Sequence, residues 1–456
     1  MNEKIDILCK DIELHSKIAP GLYEKYGVKR GLRNSDGSGV TVGLTNICNV
    51  HGYVMDEGEK KPIEGELFYR GINITDITAN TTDKKRFGYE ETAFLILFGD
   101  LPTIEELETF RSLLAFNRTL PSGFSEDIIF KAPSRNIMNK MARAVLALYA
   151  YDTDPEDMSL KLELNRAMAI IARLSSIMVD AYQIKKRYFD NESLFMHPQN
   201  PDESVAQAIL STLRPDRVYS EEEALLLDLC LILHAEHGGG NNSTFVCRCL
   251  TSSGTDAYSA YSGAIGSLKG PLHGGANIKV MAQLEDFKAH LPANFTDADV
   301  SAYLEKVFKK QAGDGSGKIY GMGHAVYTKS DPRAVVLKKH ALSLAKGLDI
   351  ENDFRLLDAI ERLTPEIFDK SGHTAKTLCA NVDMYSGLVY QMLKIPPELN
   401  TALFAVSRMP GWAAHRIEEK LTGKRIMRPG YKTVAQLREY INIDNRGGTP
   451  AAGSQI

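Results

Sequence analysis

Gly270-Pro271-Leu272-His273-Gly274-Gly275-Ala276-Asn277 follows a run of small residues, Ala257, Ala260, Gly263, Ala264 and Gly266. Their three-and-four spacing lines them along one helix face and lets a second helix approach closely. Pro271 closes that helix, because it has no N–H and its ring clashes with the preceding turn. His273 then stands just past a tightly packed helix, on backbone that its glycines leave open to a ligand. A lone histidine in such a turn is more often structural than catalytic. The reading therefore depends on whether the rest of the chain supplies it with chemical partners.

With 456 residues the chain is long enough for a large core and two domains. Its hydrophobic content of 43% and charged content of 25% are those of an ordinary globular protein. A net charge of −4 argues against a nucleic-acid role, which leaves a basic footprint. Cys9, Cys48, Cys230, Cys247, Cys249 and Cys379 show no paired metal-ligand spacing. They read as reduced residues of a cytoplasmic protein. No apolar run approaches the ~18 to 20 residues that span a bilayer. The opening Met1-Asn2-Glu3-Lys4-Ile5-Asp6 carries early acids and no hydrophobic targeting core.

Outward from the His273 stretch the chain reads as mainly helical. Residues 1–30 form an arm, and 40–45 and 66–70, rich in β-branched and aromatic residues between glycines, read as short strands. Residues 93–98 form a buried helix stopped by Gly99, and Pro102-Thr103 opens the next. Amphipathic spacing predicts helices over 137–151, 158–185 and 204–214, the last capped by Ser204. Residues 221–237 differ: after three glutamates, Leu225 to Leu233 is apolar almost all round, which implies burial on every side and a core helix. It ends in His234-Ala235-Glu236-His237-Gly238-Gly239-Gly240-Asn241. Histidines three apart share a face and make a metal-dependent hydrolase conceivable, but the usual zinc-protease spacings are absent. Histidines that finish a helix by bonding to backbone carbonyls are the plain alternative.

Helices follow over 278–312, then a second glycine-rich loop, Lys318-Ile319-Tyr320-Gly321-Met322-Gly323-His324, which lacks the Lys-Ser/Thr ending of a phosphate-binding loop. Helices are predicted over 334–347, 351–370 and 374–394, the last containing Asp383 among apolar neighbours. Another, over 398–421, carries Arg408 and must kink or break at Pro410-Gly411. Arg428-Pro429-Gly430-Tyr431 precedes a final helix over 432–443.

Taken together these motifs resemble the citrate synthase family. The resemblance rests on His234 to Asn241, Gly270 to Asn277, Gly321-Met-Gly-His324 with Asp331-Pro332-Arg333, Asn381-Val-Asp383-Met-Tyr-Ser-Gly387, and Arg408-Met-Pro-Gly-Trp412-Ala-Ala-His415. Each is weak alone, whereas five in one order are specific. The resemblance implies an almost all-helical, two-domain homodimer. A large domain over 1–275 and 391–456, with the small β-containing segment near its amino terminus, would be interrupted by a small domain over 276–390.

It further implies an acyltransferase that condenses acetyl-CoA with oxaloacetate and hydrolyses the thioester to citrate and CoA. Asp383 would be the base, His273 the donor at the thioester oxygen and His324 the donor at the ketone. His237, Arg333, Arg408 and Arg428 would hold oxaloacetate, Arg428 reaching the neighbouring subunit's site. Lys318, Tyr320, Gly321, Gly323 and Asn381 would contact CoA. No metal or other cofactor is implied, acetyl-CoA being a substrate, and no nucleic acid or membrane is a partner. A methylcitrate synthase using propionyl-CoA shares the constellation, and one methylene changes discrimination by only ~1 to 3 kcal/mol.

Overall fold

The computed structural model describes residues 2–34, 37–56, 59–370 and 378–446. Helices dominate, with one small antiparallel sheet near the amino terminus. Its strands are β1 (Cys48–Asp56), β2 (Glu59–Tyr69) and the short β3 (Ile72–Asn73), in that order. The sheet is not where local propensity puts it: 40–45 is irregular, and 66–70 is only the end of the long β2. The hairpin carries residues that propensity disfavours, because another segment crosses it. A Cβ on Gly52 would lie 2.7 Å from the Val326 carbonyl oxygen, and one on Gly65 would lie 2.1 Å from that of Ser330. Glycine is required where the chain after His324 passes over the sheet.

β2 delivers Tyr69 into the core. Its hydroxyl lies 3.2 Å from the Ile232 carbonyl and 3.0 Å from that of Glu236. The sheet thus fixes the end of the core helix Glu221–His234, which is buried on nearly all sides and opens with a Ser220/Glu223 capping box. Thr103 and Ser204 cap their helices in the same way. Gly99 adopts φ 99° behind the helix Tyr89–Phe98, the left-handed stop expected of it.

The helix Ala257–Leu268 buries Ala257, Ala260 and Ala264, and a Cβ on Gly263 would meet Leu250 at 2.3 Å. Small residues do allow the Asn242–Ser252 helix to approach, although Gly266 is exposed and takes no part.

Three expected elements differ. The helix Asn400–Thr422 runs unbroken through Pro410. Proline leaves the Val406 carbonyl without its helical donor, and the buried Tyr89 hydroxyl replaces it at 3.0 Å. The helix predicted over 374–394 begins only at Asp383 and ends at Met392, because 378–382 is drawn out to pair Ala380 with Met322. Its first turn as predicted, through residue 377, lies outside the described residues. No helix forms over 432–443, and apart from a single 3-10 turn the chain from 423 to 446 is irregular and largely exposed. Amphipathic spacing without a surface to pack on does not hold a helix.

The segment Leu160–Asp190 is long and apolar enough to cross a membrane by composition, contrary to the expectation that no run is. Its charges are spread around the helix, and 78% of its apolar window is buried inside the protein. One of those charges anchors the core. Glu163 accepts from Arg416 at 2.8 and 3.1 Å with both side chains almost fully buried. Lys420 and Arg166 lie 3.2 and 3.7 Å from the same carboxylate. Glu163→Gln should therefore cost about 3–5 kcal/mol in urea unfolding, the usual penalty for stranding a buried cation; a loss under about 1 kcal/mol would contradict this assignment.

Candidate active site

A cavity of about 150 Å³ is lined by His234, His237, His273, His324, Arg333, Asp383 and Arg408 among others. These residues come from five separate stretches of chain, each brought in by a local device.

His273 sits in the turn after Leu268, where its N–H and that of Gly274 both bond to the Gly270 carbonyl at 2.9 and 3.0 Å. Only glycine fits at 274, since a Cβ there would lie 2.2 Å from the Leu268 oxygen. The Ser243 backbone N–H donates to His273 Nε2 at 3.3 Å, with the Ser243 hydroxyl at 3.1 Å. A backbone N–H can only donate, so Nε2 carries the lone pair and Nδ1 the proton. Burial, assisted by Arg408, lowers this imidazole to about 4. His273 is thus a neutral donor through Nδ1. Ser243 is fixed in turn by Asn241 at 2.9 Å and by the indole N–H of Trp412 at 3.2 Å.

His324 is arranged by the same logic from the other side. The N–H groups of Val326 and Tyr327 both donate to its Nδ1 at 3.1 Å, which leaves the proton on Nε2. Burial, then Arg333, lowers it to about 4. His237 packs edge-on against it with centroids 5.0 Å apart, and its own buried Nε2 has no hydrogen-bond partner among the described residues. Burial holds His237 well below the ordinary histidine range as well.

Asp383 is the first residue of its helix, and its N–H bonds to the Asn381 side-chain oxygen at 3.0 Å. Burial pushes its carboxyl up to about 6 against the pull of Arg333 and Arg408. Asn381 ties this helix start to the His324 loop, donating from Nδ2 to the Gly323 carbonyl at 2.9 Å.

The two arginines are held differently. Arg333 is gripped by Asp331, at 3.0 Å to Nε and 2.7 Å to Nη2. Arg408 donates from Nε to the His234 carbonyl at 2.7 Å, while both terminal nitrogens are buried with no hydrogen-bond partner among the described residues. Each buried donor left unmade costs about 1–3 kcal/mol, more when charged. A carboxylate placed against that fork would recover the cost.

His234 Nδ1 donates to the Cys230 carbonyl at 2.7 Å, the backbone bond of a histidine that finishes a helix. Among the described residues no group of three His, Cys, Asp or Glu side chains gathers as metal ligands. Of the tentative CoA contacts, Asn381 lines the cavity, whereas Lys318, Tyr320, Gly321 and Gly323 lie outside its lining. Arg428 is exposed and also lies outside it. Ser243, Glu236 and His415 support the site without a local signal that marks them; Ser243 stands three residues past the last glycine of the run Gly238 to Gly240.

Residues 34–430 match the family model for the citrate synthase C-terminal domain. The chain belongs to the citrate synthase family. A citrate synthase of Acidithiobacillus ferridurans is 33% identical over 416 residues, covering 90% of this chain and 97% of that one. A 2-methylcitrate synthase of Shewanella oneidensis is 31% identical, covering 83% and 92%. A solved ternary complex of carboxymethyl coenzyme A and oxaloacetate with the citrate synthase of Thermoplasma acidophilum superposes with a TM-score of 0.74 at 26% identity, covering 92% and 99%. The shared fold extends over nearly the whole of each chain.

Because the histidines lose their charge near 4 and Asp383 near 6, the acid side of any reaction using them is set by Asp383. A base must be ionised, so turnover should rise through about pH 6 and fall about tenfold per unit below it. A profile flat from pH 5 to 8 would remove Asp383 from the role of base.

Proposed function

We propose that this citrate synthase family member condenses acetyl-CoA with oxaloacetate and hydrolyses the resulting thioester, releasing citrate and CoA. The observation that carries the reading is the convergence, in one cavity, of two neutral imidazole donors, one carboxyl poised near 6 and an uncommitted guanidinium fork. Asp383 takes a proton from the acetyl methyl. The acid is weak, so the step needs a donor where negative charge develops, and His273 Nδ1–H supplies it at the thioester oxygen. The new carbon nucleophile attacks the ketone of oxaloacetate, polarised by His324 Nε2–H. Arg408 and Arg333 hold the carboxylates with His237 beside them, and water then cleaves the thioester.

The finer features follow the family pattern. The segment 276–390 acts as a small domain that closes over the substrates and excludes water, protecting the enol from reprotonation. Asn381 and the 318–323 segment meet CoA. The functional unit is a homodimer in which Arg428 completes the neighbouring site. A 2-methylcitrate synthase stands among relatives that are otherwise citrate synthases, so propionyl-CoA is the second acyl donor to test, behind acetyl-CoA.

The test is thiol release from acetyl-CoA with and without oxaloacetate, repeated with propionyl-CoA and corrected for the protein's six cysteines. Oxaloacetate-dependent release that is faster with acetyl-CoA is expected, while a reversed ratio selects the second reading. Asp383→Asn should lower turnover by about 10²- to 10⁴-fold with the fold intact by circular dichroism. Near-parent turnover in that variant would refute the assignment.

A further inference from the structure

Glu236 is fully buried and lies between His234 and His237 in sequence, yet none of the steps above uses it. Its Oε1 accepts from the Gly238 N–H at 2.6 Å and from His415 Nε2 at 3.0 Å. The direction of that second bond is set from behind. His415 Nδ1 lies 2.7 Å from Arg248 Nη1, a group that can only donate, so Nδ1 accepts and Nε2 carries the proton. Arg248 is itself neutralised by Glu418 and Glu419 at 2.8 and 3.1 Å. In this tautomer both hydrogen bonds to Glu236 Oε1 come from uncharged N–H groups.

The other oxygen, Oε2, is buried with no hydrogen-bond partner. It lies over Gly411, where a Cβ would come within 2.1 Å of it, one turn along the helix from Arg408. The Arg408 Nη atoms are equally unpartnered, while its Nε is tied to His234, two residues before Glu236. Two opposite buried charges thus sit side by side in the fold without spending each other's donors and acceptors. Burial lowers the Arg408 guanidinium, and Glu236 is the foremost group opposing that loss.

We propose that Glu236 is a positioning residue that serves as a stand-off counter-charge to Arg408, balancing the guanidinium in the empty site while leaving its fork free for a substrate carboxylate. Asp331 balances Arg333 by direct contact and so occupies two of its donors. Glu236 cannot do so, because His415 and the Gly238 N–H hold it back. The inference rests on the proposed oxaloacetate reading of this cavity and adds to it the group that keeps the site stable when empty.

The experiment is thermal unfolding of the full-length protein with and without oxaloacetate, and in parallel with citrate. Glu236→Gln retains an oxygen for Gly238 and His415 and removes only the charge. Its unliganded Tm should fall, and the ligand-induced rise in Tm should exceed the parent's, because a bound carboxylate restores the missing negative charge. An equal rise in parent and variant would overturn the counter-charge role and make Glu236 a hydrogen-bonding staple. No rise in the parent itself would instead overturn the oxaloacetate reading. If Glu236→Gln does not fold, the double variant Glu236→Gln/Arg408→Gln decides: recovered folding supports charge compensation, and continued failure to fold refutes it.

Discussion

An arginine side chain buried with its two terminal donors unsatisfied is the constraint around which this molecule is arranged. Arg408 projects from a helix that must pass through the centre of the protein, and that helix survives Pro410 only because Tyr89 caps the carbonyl that proline strands. Its Nε reaches back to the end of the Glu221–His234 helix and couples the two elements that carry Arg408 and His237. Gly411, one turn further on, lets the Glu236 loop press against the same helix. A water-exposed guanidinium would need none of this. A buried one must have its backbone, its charge and its approach path supplied by distant parts of the chain.

The same burial tunes the other groups in opposite senses. Removing water disfavours whichever form is charged, so the carboxyl of Asp383 rises to about 6 while His273 and His324 fall to about 4. One environment thus yields a carboxylate that is ionised near neutrality and two imidazoles that remain neutral donors. Tautomer is set separately, by backbone N–H groups at Ser243, Val326 and Tyr327. These donors do not titrate, so the direction of each histidine is fixed by the fold.

What could be read in the sequence follows from how far each signal reaches. Stops such as Gly99 and caps such as Ser204 act within a turn, and they sit where the local pattern puts them. His234, His237, His273, His324, Asp383, Arg333 and Arg408 all line one cavity, but their roles rest on family resemblance, since spacing alone leaves the metal reading of His234 open. The hairpin was misplaced because its glycines answer to Val326 and Ser330, more than 260 residues away in the case of Gly65 and Ser330. The start of the Asp383 helix moved because Ala380 pairs with Met322. Glu236 and His415 stand 179 residues apart, and no local pattern joins them.

The balance of charge at the cavity bears on assembly. With Asp383 ionised, the guanidiniums of Arg333 and Arg408 face the carboxylates of Asp331, Glu236 and Asp383. The surroundings are then slightly negative before any dianion enters, and the neutral histidines contribute dipoles but no net charge. Two carboxylates of a substrate would meet this deficit in a low-dielectric space, where like charges repel strongly. Of the three arginines proposed to hold the substrate, Arg428 lies outside this cavity, exposed on an irregular segment of its own chain. In the proposed homodimer, Arg428 of a second copy is the group that would supply further positive charge. On the proposed reading, loss of the dimer would weaken dicarboxylate binding more than it weakened the fold.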